Sequence, residues 1–208
     1  MDIAWFGRSC FRLQSSQATV LTDPFGALPA AALAGVHIIT LSDRERAGNL
    51  ASVPGARVVD GPGEYEIRGV PVGGIAVNVA PVAERPARKS FIYTVTLDGI
   101  AVCHLGRLTE PSAGQRTHEL GQVGQADVLL LPLGEPEGFP AQRAVQVASQ
   151  LESKLLIPML LGGPGDEAAL EAFCKELGAD PSVRESRLSV TATALAAQTR
   201  VAIFTAGV

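Results

Sequence analysis

Clustered basic residues, aromatic side chains and histidines are all scarce in this sequence, and each scarcity argues against a class of function. Seventeen Lys and Arg stand against 21 Asp and Glu, a formal net charge of −4. Without a Lys/Arg cluster, the electrostatic footprint of a nucleic-acid partner is missing. Aromatics make up only 5% of the chain, too few for a base-stacking surface. Cys10, Cys103 and Cys174 are an odd number without CxxC spacing, which argues against a disulfide framework and for a reducing compartment. The opening MDIAWFGRSC has an early acid and a polar interruption where a secretory signal would be apolar. The longest apolar runs, such as DVLLLPLG, fall far short of the roughly 20 residues of a membrane-spanning helix. The expectation is therefore a cytoplasmic protein with neither a membrane nor a nucleic-acid partner.

What is present is a succession of short strands. DIAWFG, CFRLQS and ATVLTDPFG come first, the last ended by the turn residues Asp23-Pro24 and Gly26. PAAALAG reads as a short helix closed by Gly35, and VHIITLS as the next strand. ARVVDG, a GPGEYEI turn, GVPVGGIAVNVA and SFIYTVTLDGIAVCHLG follow, with Asp98-Gly99 as a hairpin signal. APVAERPARKS reads as a mobile loop. The later part alternates. GQRTHELGQVG reads as helical, DVLLLPLG and KLLIPML as buried strands, and SRLSVTATA and RVAIFTAG as closing strands. Between them, PAQRAVQVASQLES is an amphipathic helix with Ala144, Val147, Ala148 and Leu151 on one face. GDEAALEAFCKELGA is a second helix, with acids at its start and Gly178 near its end. Antiparallel strands followed by alternating β and α predict an α/β (α+β) fold of two sheets face to face with helices outside.

The joint set WFGRSCFRL, VLTDPFG, GPGEYEI, DGIAVCHLG, DVLLLPLG and LLIPML resembles the metallo-β-lactamase superfamily. The nearest branch is the small bacterial and archaeal metal-dependent hydrolases. The resemblance implies one domain over residues 1–208, a four-layer αββα sandwich of two similar halves, roughly 1–100 and 101–208. It also implies a one- or two-zinc site at one edge of the sheets, where an activated water performs hydrolysis. Zinc needs imidazole, thiolate or carboxylate ligands and an open position for that water.

Those ligands are replaced in this chain. The family's His-x-His-x-Asp-His loop falls on DRERAG, placing Asp43, Glu45, Ala47 and Gly48 at the four ligand positions. Val79 and Leu160 stand at two later histidine positions, and Arg8 replaces the histidine of a GHS turn. His-Leu-Gly is intact at 104–106, but Arg107 follows where the family has a metal-bridging aspartate. A guanidinium about 4 Å from a divalent ion would be repelled by roughly 8 kcal/mol at an effective dielectric near 20. The expectation is that zinc, the family's cofactor, is not bound, and that Arg107 takes its electrostatic place by pairing with Asp43 or Glu45. Arg8 and Asp23 would extend that cluster.

Other readings compete with this one. Asp43, Arg44, Glu45 and Arg46 also read as a solvated charged loop. His104 reads as a hydrogen-bonded residue near the core, and His37 and His118 as structural or surface residues. Cys103 reads as a small core residue, and Ser9 and Ser42 fit no Ser-His-Asp arrangement. LLGGPGDE could hold an anion at a helix N-terminus, although Asp166 and Glu167 already occupy that dipole. The leading expectation is a catalytically inactive member, a pseudoenzyme binding an unknown small molecule or protein partner. The alternative is a hydrolase of a phosphoester or lactone with a site rebuilt from Asp43, Glu45 and His104. A third expectation is a structural subunit that forms a homo-oligomer.

Overall fold

A run apolar at every position, such as VLLLPL at 128–133, must bury both faces of its strand. The computed structural model, which describes residues 1–46, 53–79, 88–109, 120–195 and 199–206, meets that requirement with layers. In chain order the first strands are β1 (Asp2–Trp5), β2 (Phe11–Gln14), β3 (Thr19–Thr22), β4 (Ile38–Thr40) and β5 (Arg57–Val59). Next come β6 (Gly63–Ile67), β7 (Val70–Val79), β8 (Arg88–Leu97), β9 (Ile100–His104), β10 (Val128–Leu133) and β11 (Leu155–Leu160). Two-residue strands β12 (Arg184–Glu185), β13 (Leu188–Ser189), β14 (Arg200–Val201) and β15 (Ile203–Phe204) complete the set. The helices are α1 (Ala30–Leu33), α2 (Ala141–Gln150), α3 (Asp166–Leu177) and α4 (Ala192–Leu195).

Of the two large sheets, one has the order β13-β1-β2-β3-β4-β5 and the other β14-β11-β10-β9-β8-β7-β6, while β12 and β15 pair apart from both. Each is mixed: β1, β2 and β3 pair antiparallel before β3, β4 and β5 run parallel. Likewise β6 to β9 are antiparallel and β9, β10, β11 and β14 parallel. Side chains sort by the two-residue period of a strand. Val128 and Leu130 join Ile3, Phe11, Val20 and Ile38 in the core between the sheets. Leu129 and Leu131 turn the other way, toward Val147 of α2 and Phe173 of α3. On the far side Leu21 and Ile39 pack with Leu33 of α1 and Phe25. This is the expected αββα order, and among the described residues the outer layer over the first sheet includes the single helical turn α1.

Asp98 and Gly99 both adopt positive φ, +52° and +73°, the backbone of a two-residue hairpin turn. Two local readings need correction. GPGEYEI is not merely a turn, because Gly63–Ile67 pairs along β7 as the edge strand β6. SRLSVTATA gives only two residues of strand, at Leu188–Ser189, before Ala192–Leu195 turns helical. Most of GQRTHELGQVG, His118 included, and residues 80–87 of the Pro/Arg-rich piece lie outside the described residues; Arg88 onward is strand. The anion reading at α3 is answered by the chain itself. Asp166 Oδ2 accepts the Gly162 and Gly163 amides at 2.7 and 3.0 Å. Among the described residues no helix is long and apolar enough to cross a membrane.

Candidate functional site

Because β3 and β4 run parallel, as do β9 and β10, the loops that follow them emerge at strand carboxyl ends, where α/β folds gather ligands. β3 delivers Asp23, β4 delivers Ser42 and Asp43, β9 delivers Arg107 and β10 delivers Glu137. The β1–β2 turn adds Arg8 and Ser9. Around a cavity of about 390 Å³ stand Arg8, Asp23, Phe25, Leu41, Asp43 and Arg107. Four of the six residues singled out in the sequence therefore share one pocket.

Arg8 is exposed and holds φ at +50°. Its carbonyl accepts the Trp5 indole N–H at 2.7 Å, and its guanidinium lies over the Phe25 ring, 5.4 Å from the centroid. Asp23 is fixed from the next loop: the Ser42 amide donates to Oδ1 at 2.6 Å, and the Ser42 hydroxyl donates to Oδ2. The Ser42 carbonyl in turn accepts Ser90 Oγ–H at 2.9 Å and the Phe91 amide at 3.0 Å, both from β8. Ser42 thus links the Asp23 loop to the opposite sheet. Gly106, at φ +59°, makes room for it. A Cβ there would lie 2.6 Å from Ser42 Cβ and 2.9 Å from the Phe91 carbonyl.

His104 sits beneath the pocket, fully buried. Its Nε2 is 2.9 Å from the Ser9 carbonyl, and its Nδ1 accepts the Gly106 amide at 3.2 Å. That pattern assigns a neutral imidazole with the proton on Nε2. Burial pulls its pKa below the ordinary value, against the opposing pull of Asp23, 4.0 Å away, and of the Ser9 carbonyl. Cys10 and Cys103 are also buried, and desolvation raises both thiols far above their usual range, so neither is a ready nucleophile.

Glu137, a residue the sequence reading did not single out, closes on Arg107. The expected partners lie otherwise. Asp43 accepts the Glu45 amide at 3.1 Å and faces Arg88 Nε at 3.3 Å. Glu45 is exposed on a turn of 3-10 helix, Arg44–Arg46, and lines the neighbouring cavity with Arg44, Asp60, Arg88 and Lys89. Ser42, Arg88 and Glu137 are the additions. The position of Glu137 just after a buried parallel strand was the one available signal for it. Among the described residues no group of three or more His, Cys, Asp or Glu is arranged to hold a metal ion.

Comparison with known proteins fits this fold. A curated UPF0173 protein of Pyrococcus abyssi is 24% identical over 197 residues, covering 85% of this chain and 90% of its own. A crystal structure from Thermotoga maritima, of a protein assigned to the metallo-β-lactamase superfamily, superposes with TM-score 0.70 at 25% identity. It covers 98% of this chain and 97% of its own. A metallo hydrolase of the archaeon Ignicoccus hospitalis shares the fold, with TM-score 0.66 at 13% identity over 91% of this chain and 99% of its own. The profile of the beta-lactamase superfamily domain matches residues 2–160, and the chain belongs to that superfamily.

Proposed function

We propose that this chain is a member of the superfamily that does not run the zinc-dependent hydrolysis of its relatives and uses the pocket to bind a small molecule. The observation that carries this reading is the chemistry of the donor set. Zinc would need several imidazole, thiolate or carboxylate ligands converging on one point. Here the pocket offers Asp23 and Asp43 beside two guanidinium groups, Arg8 and Arg107. Among the described residues the imidazole beside the pocket is that of His104, and both its ring nitrogens are committed to backbone groups. These residues do not fit the family's metal. The Arg107–Glu137 pair supplies instead a fixed cation and its counter-charge at the sheet edge.

The test is metal content after dialysis of protein expressed with zinc, iron or manganese, together with hydrolysis of a phosphodiester and lactone panel. Substoichiometric metal and no turnover are expected. One tightly held metal per chain, or hydrolysis that disappears in Asp43→Asn, overturns the proposal.

A further inference from the structure

The charges around the pocket do not all cancel locally. Arg107 is matched by Glu137, and Asp43 by Arg88. Arg8 and Asp23 are different. The Arg8 guanidinium makes no ion pair among the described residues and lies over the Phe25 ring. Asp23 receives hydrogen bonds from Ser42, but the imidazole beside it is neutral, so among the described residues no cation pairs with it. No ion pair joins Arg8 to Asp23 across the cavity. Among the described residues, one cation and one anion without an ion-pair partner therefore face the same space, with Phe25 and Leu41 as apolar wall.

From this juxtaposition we infer that the pocket takes a small zwitterion of the amino-acid class. Its carboxylate would lie against the Arg8 fork, its ammonium against Asp23, and its side chain against Phe25 and Leu41. The inference rests on the binding role proposed above and names the ligand for it. A planar guanidinium stacked on an aromatic ring keeps its N–H edge free for a carboxylate. A carboxylate already holding a serine amide and hydroxyl retains lone pairs for an ammonium. A volume near 390 Å³ is at the small end of ligand pockets, the scale of a single amino acid.

The test titrates the full chain calorimetrically with L-leucine and L-phenylalanine. It repeats the titration with the deaminated acids 4-methylpentanoate and 3-phenylpropanoate, and with the decarboxylated amines 3-methylbutylamine and 2-phenylethylamine. The amino acids are expected to bind at least about tenfold more tightly than either half-charged analogue, as loss of a charged hydrogen-bonding partner implies. Arg8→Ala should abolish the advantage over the amine, and Asp23→Asn the advantage over the acid. Should Asp23→Asn fail to fold, Arg8→Ala decides alone, since Arg8 is exposed. No saturable binding of either amino acid at millimolar concentration overturns the assignment, as does equal affinity for zwitterion, acid and amine. Such a failure with no metal bound sinks this inference only, whereas stoichiometric metal sinks the reading beneath it.

Discussion

Two arginine–carboxylate pairs stand at the same edge of the sandwich and look alike in the sequence, yet their surroundings differ. Arg107 is only 4% exposed and Glu137 24%. Arg44 and Asp60, 2.7 Å apart, are 63% and 41% exposed. Water solvates each partner of the second pair whether or not the other is present, so that pair contributes little. Removing one partner of the first leaves a charge that water replaces only in part. The lesson is that the mixed charges of DRERAG divide by depth: Asp43 belongs to the pocket wall, while Arg44 and Glu45 face outward.

The sharpest way to break this contrast is Arg107→Ala. It should destabilise the chain by about 3 kcal/mol, read as a lowered urea midpoint, whereas a loss under about 1 kcal/mol would place the pair among surface pairs. Gly106→Ala strikes the same edge through the backbone, forcing a side chain into positive φ against Ser42. A cost of about 1–3 kcal/mol is expected in the same assay, and an unchanged midpoint would show that the loops can separate freely. A smaller effect should appear with pH. Because the folded pKa of His104 is held below the unfolded value near 6.5, the unfolded chain takes up its proton first. Stability from this residue is full above that value and declines as pH falls below it. Replacing His104 by Asn should flatten that part of the pH–melting profile relative to the parent. Arg44→Ala closes the series, with a change of no more than about 0.5 kcal/mol that added salt should diminish further.

How much of this was legible follows the physics of each element. β10 could be read because a strand buried on both faces has no polar positions to confuse with a loop. α2 could be read because Ala144, Val147 and Ala148 repeat at helical spacing and are buried. GPGEYEI misled because its glycines and proline are turn residues locally, while the strand exists only through its partner. Gly74 on β7 lets the Gly61 backbone approach, since a Cβ there would lie 2.6 Å from the Gly61 carbonyl. The charged edge was half legible. Asp23, Asp43, Arg8 and Arg107 sit on loops that a strand order can foretell. Which acid meets which arginine depends on loop conformations with no periodicity, so GEPEGF marked Glu137 only by its place after a buried strand and not as the partner of Arg107.

The two bonds that Ser42 accepts from β8 give the molecule a built-in gauge. The Phe91 amide donates across from one sheet to a loop of the other, so its deuterium uptake reports the parting of the layers themselves rather than the fraying of a strand end. Watching that one proton while titrating a candidate ligand would tell whether occupancy of the pocket clamps the sandwich shut.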